Sequence, residues 1–252
     1  MSETADRKAT AEQLSMLYTR YHFARSLAAG KDVLELACGA GFGLGYLAEV
    51  ANRVVGTDVD SEFVQGVAAY FGNRIEVREV DATHLPFADQ SFDLVLLLEA
   101  IYYLPDAMQC VHEVRRVLRS GGVLLVVSAN PERDAFNPGA YTTEYFSASK
   151  LSALFQQSGL TAELFGGFPD EESQKGSALV HILRSVAVRL HLVPKTMRAK
   201  ELLKRIFMGR LYPIPREVRE GMAAVEPLVP LGPGQPATRF KVIYAVGRKR
   251  AA

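Results

Sequence analysis

The stretch Asp32-Val-Leu-Glu-Leu-Ala-Cys-Gly-Ala-Gly-Phe-Gly-Leu-Gly45 runs from short strand-forming residues into a loop with glycines at 39, 41, 43 and 45, and then into the helix-like Tyr46-Leu-Ala-Glu. A strand that passes through a glycine turn into a helix is the opening of a βαβ unit. Working outward, the same alternation continues. Arg53-Val-Val-Gly-Thr57 reads as a second strand ending at Asp58, with helical residues from Ser61. Ile75-Glu-Val-Arg-Glu-Val80 reads as a third, ending at Asp81, and Phe92-Asp-Leu-Val-Leu-Leu-Leu98 as a fourth. The fourth is nearly all apolar, as a central strand buried on both faces must be. Asp106, with Gln109 three residues on, predicts a capping box for the next helix, which should stop at Gly121-Gly122 before a fifth strand, Val123-Leu-Leu-Val-Val127. Ser147 or Ser149 should cap another helix, with Leu151, Leu154 and Phe155 on one face and Gly159 closing it. Phe240-Lys-Val-Ile-Tyr-Ala-Val246 is a late strand, after a Pro/Gly-rich connector, Glu226 to Pro236, that reads as irregular. The alternation over residues 31–168 predicts an α/β architecture around a parallel sheet.

Composition narrows the function classes. A chain of 252 residues, 48% hydrophobic and 23% charged, suits one α/β domain with an insertion. The formal charge of +1 argues against a general polyanion binder. Cys38 and Cys110 form no CxxC pair and there is no His/Cys cluster at metal-ligand spacing, so neither a disulfide framework nor a metal site is expected. No apolar h-region or spanning run is visible, and a cytoplasmic setting is expected.

Open α/β sheets bind ligands beyond the carboxyl ends of their strands. Four features fall there: the glycine loop after strand one, Asp58 after strand two, Asp81 after strand three and Glu99 after strand four. Glycines let a ligand approach backbone, and an acid ending strand two is placed to accept from both hydroxyls of a ribose. The competing readings are a tight turn needed only for folding and, for Asp58, a charge at a helix N-terminus. Gly-Ala-Gly-Phe-Gly-Leu-Gly is not the G-x-G-x-x-G of dinucleotide enzymes, and Glu35 stands inside the first strand just before the loop. A pyrophosphate is ill suited to a neighbouring carboxylate, whereas the ammonium of a bound amino acid is well suited to it.

At this point Val33-Leu-Glu-Leu-Ala-Cys-Gly-Ala-Gly-Phe-Gly43 resembles motif I of class I S-adenosylmethionine (SAM)-dependent methyltransferases, of the small-molecule "type 11"-like group. Val55-Gly-Thr-Asp-Val-Asp60 resembles their motif II, Asp81-Ala-Thr-His-Leu-Pro-Phe-Ala-Asp-Gln-Ser-Phe-Asp93 the stretch that reaches adenine and enters strand four, and Leu118-Arg-Ser-Gly-Gly-Val-Leu124 the turn before strand five. The resemblance spans about residues 31 to 165. It implies a Rossmann-like, doubly wound, mostly parallel seven-stranded sheet with an antiparallel last strand, here with a helical C-terminal insertion. The implied organisation is an N-terminal helical cap at 1–30, a SAM-binding core at 31–168, a basic helical insertion or lid at 169–239, and a final strand and tail at 240–252.

SAM is the implied cofactor. Gly39 and Gly41, with the backbone near Ala37, should line its methionine part, and Glu35 its ammonium. Asp58 should hold the ribose hydroxyls and Val59 pack on adenine. Asp81 should accept from the adenine amino group, with Ala82 and Thr83 beside it. Leu98 and Glu99 should lie beside the sulfonium. Tyr18-Thr-Arg-Tyr-His-Phe23 resembles the N-terminal helix that some members fold over the cofactor carboxylate, and Tyr18 is its candidate ligand; an ordinary amphipathic helix with buried tyrosines is the alternative.

The expected reaction moves a methyl group to O or N of a small molecule, an in-line displacement in which alignment can supply on the order of 7–11 kcal/mol. A hydroxyl acceptor benefits from a general base. Glu99, His84 and Tyr102 are the leading candidates, with Tyr103 and His22 also near the expected mouth. The acceptor pocket should come from the loop Ser128 to Tyr141 and the insertion. Between Lys175 and Arg219 there are 11 Lys/Arg against Glu201 and Glu217, a net +9 against −8 for the rest of the chain. Leu179, Val180, Ile182, Leu183, Val186, Leu190 and Val193, then Leu202 to Met208, suggest basic amphipathic helix interrupted at Pro194. Such a stretch suits a phosphorylated or nucleotide-linked acceptor, a peripheral membrane contact, or a solvated lid or homodimer helix.

A sugar or a nucleotide- or lipid-linked glycan intermediate is the favoured acceptor. Nucleic acid is not expected: strand four ends in Leu-Leu-Glu-Ala, not the Asn/Asp-Pro-Pro-Tyr of nucleobase methyltransferases, and no RNA-binding module is recognisable. The rivals are a quinone- or polyketide-type methyltransferase, a catalytically silent SAM-binding scaffold, and a nicotinamide dehydrogenase, the last disfavoured by Glu35 and the glycine spacing.

Overall fold

The computed structural model describes residues 8–133, 136–139, 141–170, 210–232 and 234–251. In chain order the elements are β1 (Lys8–Thr10), α1 (Ala11–Ala28), β2 (Asp32–Leu36), α2 (Leu44–Ala48), β3 (Arg53–Asp58), α3 (Ser61–Phe71), β4 (Glu76–Glu79), β5 (Phe92–Leu98), α4 (Ala107–Val117), β6 (Leu118–Ala129), α5 (Ala148–Gln157), β7 (Glu163–Pro169), β8 (Leu211–Pro213), β9 (Val229–Pro230) and β10 (Phe240–Arg248). The main sheet runs β4-β3-β2-β5-β6-β10-β7-β9. From β4 to β6 every pairing is parallel, while β10 pairs antiparallel with both β6 and β7. The chain steps outward from β2 to β4, then returns to start β5 on the other side of β2. This is the reversal that opens a crevice at the carboxyl ends of β2 and β5.

The alternation within β5 shows why the centre of the sheet is so apolar. Leu94, Leu96 and Leu98 enter the core under α1 to α3, with Val33, Leu125 and Val127; Val95 and Leu97 enter the opposite core under α4 and α5, with Leu34, Val126 and Ile243. Helices cover both faces, so the acids of the crevice other than Glu35 sit at the strand ends. At the amino ends Arg119 bridges Asp93 (2.7 Å) and Asp32 (2.8 Å), closing the side away from the crevice.

Four local expectations are corrected. The sheet has an eighth strand: β9 lies inside the Pro/Gly-rich connector read as irregular and pairs Val229 and Pro230 with Gly166 and Phe165. A two-residue edge position tolerates the proline, whose missing N–H can face outward. The N-terminal region is not helical throughout, because β1 pairs antiparallel with β8 in a separate two-stranded sheet. Asp106 caps α4 by accepting from the Gln109 amide (2.9 Å), but the Gln109 side chain donates to the Thr83 carbonyl instead of completing a box. Helix α4 ends at Val117, not at Gly121-Gly122, and those glycines lie within β6, where its register to β5 shifts between Phe92 and Leu94. Ser147, not Ser149, caps α5 through the Lys150 amide. The amphipathic stretch Leu179 to Met208 lies outside the described residues. The described end of the insertion, from residue 210, forms β8, an irregular strap over residues 214–226, and β9.

No helix among the described residues is long and apolar enough to cross a membrane.

The Gly121-Gly122 pair separates two kinds of glycine requirement. Gly121 has φ +74° with open space at the Cβ position, whereas a Cβ on Gly122 would lie 2.9 Å from the Arg119 carbonyl oxygen and 3.3 Å from that of Asp93. Gly121→Ala should therefore cost about 1 kcal/mol through backbone strain. Gly122→Ala should cost more, about 1–3 kcal/mol, because backbone atoms cannot yield as a side chain can. Urea unfolding of both variants checks the order; equal losses would contradict it.

Candidate active site

The crevice is built from the ends of β2, β3 and β5. After Leu36 the chain leaves β2 through Ala37 at φ +50°, then Gly39 at +52° and Gly41 at +68°. The Cys38 amide donates to the Thr57 carbonyl (2.8 Å) and the Gly41 amide to that of Cys38 (2.9 Å), folding the loop against β3. The three glycines are needed for different reasons. A Cβ at Gly39 meets nothing within 4 Å, so there the loop presents bare backbone to open space. A Cβ at Gly41 would lie 2.7 Å from Val67 of α3, and one at Gly43 would lie 1.9 Å from the Tyr21 ring of α1. Those two positions let helices pack.

Asp58, only 8% exposed, accepts from the Gly39 amide (2.8 Å) and from the Asp60 amide (3.0 Å). The helix-terminus reading of Asp58 therefore passes to Asp60, whose side chain caps α3 through the Glu62 amide. Val59 is 70% exposed, a large apolar side chain left bare beside Asp58. Asp81 accepts from both the amide and the hydroxyl of Thr83 (2.8 Å each), and these bonds hold its carboxyl below the usual range. Ala82 and Thr83 are buried under it. His84 sits on the outer rim, its Nδ1 2.9 Å from the Thr83 hydroxyl and 3.8 Å from Asp81. Arg116 of α4 pins this loop from below, donating to the carbonyls of Leu85 and Phe87 and pairing with Glu113.

Glu99 follows Leu98 at the end of β5 with φ +55°. Its amide donates to the Val127 carbonyl (2.7 Å), and its carboxylate accepts from the Tyr102 hydroxyl (2.9 Å). Burial and the neighbouring Glu99 charge push the Tyr102 phenol well above its ordinary range, so it stays protonated and acts as a donor. Tyr102 packs against Tyr103 and Tyr145, and Tyr145 against Phe136, making an aromatic wall on this side. Ala37 and Glu99 thus place two non-glycine residues in the left-handed region at the ends of adjacent strands. Such strain, of order 1–3 kcal/mol each, persists only where surrounding structure over-determines it.

Helix α1 closes the other side. Tyr18 and His22 turn toward the strap: the Tyr18 hydroxyl donates to Glu220 (2.6 Å) and accepts from the Gly221 amide (2.7 Å), and His22 lies 3.4 Å from the Tyr46 hydroxyl and 3.9 Å from Glu220. The residue of α1 that reaches β2 is Tyr21, donating to Glu35 Oε1 (2.6 Å), with the buried Arg20 acting on the same carboxyl. Neither Tyr21 nor Arg20 was singled out from sequence. The available signal was that Tyr21 stands one helical turn from Tyr18 and that Gly43 leaves room for a ring. Val218 of the strap donates to the Phe42 carbonyl (2.7 Å), clamping the glycine loop from outside.

Glu35 is 1% exposed. Its Oε2 is buried without a hydrogen-bond partner. Burial pushes its carboxyl up to about 7, against the opposing pull of the Tyr21 hydrogen bond and Arg20. Its folded value lies above the unfolded one, so the stability it contributes is full below about pH 4.5 and is lost as pH rises toward 7. Glu35→Gln, which keeps the neutral shape, should be more stable than the parent by roughly 2–3 kcal/mol at about pH 8, the gap closing by about pH 5. Urea unfolding at both values checks this, and an equal gap at both would contradict it.

Comparison with known proteins concerns the core that carries this crevice. Residues 34–126 match a family model described as a methyltransferase domain. A probable S-adenosylmethionine-dependent methyltransferase of Mycolicibacterium smegmatis is 40% identical over 141 residues, 54% of this chain and 54% of that protein. Another, from Mycobacterium tuberculosis, is 33% identical over 171 residues, 62% of this chain and 61% of that protein. The chain thus spans a little over half the length of these relatives. In fold it is similar to a SAM-dependent methyltransferase of Thermotoga maritima, with TM-score 0.59 over 95% of this chain and 92% of that one at 15% identity, a likeness of fold alone. Residues 34–126 thus match a methyltransferase domain, and over that core the chain is similar to SAM-dependent methyltransferases.

Proposed function

We propose that the protein is an enzyme that transfers a methyl group from SAM to a hydroxyl oxygen of a small molecule, with Glu99 receiving the proton. The observation that carries this reading is the juxtaposition, at adjoining strand ends, of the Asp58-tied glycine loop and the Tyr102-held Glu99 carboxylate.

The residues present fit the cofactor. The open space over Gly39 admits a ligand against backbone, the unpartnered Glu35 Oε2 suits an ammonium, and Val59 offers an apolar face for adenine. Asp58 would accept from the ribose hydroxyls, and Asp81, already fixed by Thr83, from the adenine amino group. Gly41, Ala37, Ala82 and Leu98 would line the walls. Arg20 and Tyr21 take the place on α1 first expected of Tyr18. Bound SAM supplies an activated methyl on a sulfonium.

The protein's part is alignment and proton removal. Glu99 would accept the proton that an acceptor hydroxyl gives up as its oxygen takes the methyl group. Tyr102 positions that carboxylate and cannot itself serve as base, because its own ionisation is disfavoured by burial and by Glu99. His84, out on the rim with Asp81, is assigned to the cofactor loop.

The aromatic wall of Tyr102, Tyr103 and Tyr145 can stack on a sugar ring, so sugars or glycan intermediates remain the favoured class, with a quinone-type acceptor as the alternative. The basic charge between Lys175 and Arg219 is assigned to a phosphorylated acceptor. We assign 1–30 as cap, 31–168 as cofactor core and 169–239 as acceptor-side insertion.

Calorimetry with S-adenosylhomocysteine should show Asp58→Ala weakened about a hundredfold, about 2.7 kcal/mol. Absence of binding to the parent protein would overturn the reading. In turnover assays against a sugar and phenol panel, Glu99→Gln should lower kcat by about 10²–10⁴ while cofactor affinity stays within a few fold. An unchanged kcat would show that the acceptor needs no base, as a neutral amine does not.

A further inference from the structure

Glu35 is set apart from the other acids of the crevice by its place. Asp58, Asp81 and Glu99 stand at or beyond strand ends, whereas Glu35 lies within β2, one residue short of its end and fully buried. The groups that face it are Tyr21 and Arg20 from α1, Asp58 from β3 and the buried Cys38 thiol from the glycine loop. Tyr21 satisfies one carboxyl oxygen, while the other is buried with no partner. A buried carboxylate in that state is costly, and the neutral acid is the cheaper occupant. A cation arriving beside Oε2 reverses the balance by supplying the missing partner and an opposite charge together.

We propose that Glu35 and Tyr21 form a proton-exchanging subsite for the ammonium of the cofactor's amino-acid part: the free protein holds Glu35 as the neutral acid, and the arriving ammonium displaces that proton to solvent. This deepens the cofactor reading and rests on it. In the step the O–H bond of the Glu35 carboxyl breaks, the proton leaves to the buffer, the ligand keeps its ammonium, and the carboxylate remains held between Tyr21 and the ligand. Charge is conserved at the buried site apart from the released proton. The subsite discriminates by charge as well as by shape. A nucleoside without the amino-acid ammonium gives Glu35 no reason to ionise and leaves Oε2 unpaired.

Calorimetric titration in pairs of buffers with different ionisation enthalpies counts the protons released. With the carboxyl titrating at about 7, S-adenosylhomocysteine should release about nine-tenths of a proton at about pH 6 and about half at about pH 7. Both values lie below the ligand's own α-amino range of about 7.7–8.0. 5′-Methylthioadenosine, which lacks the amino-acid part, should release none. Glu35→Gln should bind S-adenosylhomocysteine with no release at either pH. Tyr21→Phe removes the hydrogen bond that favours the charged form, so its release at about pH 7 should exceed the parent's. S-adenosylhomocysteine binding to the parent with the same heat in both buffers at about pH 6 would overturn the proposal and leave the cofactor reading standing. So would release that survives in Glu35→Gln, or equal release with 5′-methylthioadenosine. Failure of S-adenosylhomocysteine to bind the parent at all would overturn the cofactor reading, and this proposal with it.

Discussion

The hydrogen bond from the Gly39 amide to the Asp58 carboxylate joins the ends of β2 and β3, and the crevice depends on it. A glycine-rich loop is conformationally costly to order, and this loop has little side-chain bulk of its own to pack. Its shape is imposed by neighbours: Asp58 from β3, Val67 from α3, Tyr21 from α1 and the amide of Val218 from the strap. Because Asp60 takes over the capping of α3, the Asp58 carboxylate is released to serve the loop. The same carboxylate is the group proposed to accept from the ribose hydroxyls, so on that proposal a substitution there should be felt in both stability and binding.

The sheet explains where the remaining chemistry sits. Strands buried on both faces leave no room for charge along their length, so acids collect at the carboxyl ends, where the chain turns out of the sheet. Glu35 breaks that rule, and its burial raises its proton affinity into the neutral range. A local violation of good core chemistry is where function is to be sought. The strain at Ala37 and Glu99 belongs to the same pattern. Both backbones are forced into the left-handed region at the points where two adjacent strands part.

The strap links the insertion to this arrangement. Residues 214–226 cross from α3, where Tyr70 donates to Glu217 (2.6 Å), to α1 and α2, whose Tyr18 and Tyr46 both donate to Glu220. The β1–β8 ladder ties the strap's beginning to the N-terminal strand. The described end of the basic segment, from residue 210, is thereby anchored beside the glycine loop.

Much of this was legible in sequence wherever a residue's role is set by its immediate neighbours along the chain. Strand periodicity, the glycine run, the acids ending β3 and β5, and the caps at Asp106 and Ser147 are local signals, and each falls where local physics puts it. The eighth strand was not legible, because a Val-Pro pair becomes a strand only when the Gly166 edge of β7 lies beside it. Nor was the Gly-Gly stretch inside β6, which falls in the register shift against β5 and is carried through the strand by backbone bonds to Lys249. The helix α1 shows the division most clearly. Its sequence offers Tyr18, Tyr21 and His22 as near equivalents, but which of them reaches Glu35 depends on the rotation of a helix held between the sheet and a strap about 200 residues away in the chain. Sequence determined that an acid, a glycine loop and tyrosines would be present; only tertiary packing decided that Tyr21 meets Glu35 and that one oxygen of that carboxyl is left without a partner, because burial and hydrogen-bond satisfaction are properties of the assembled layers and not of the chain.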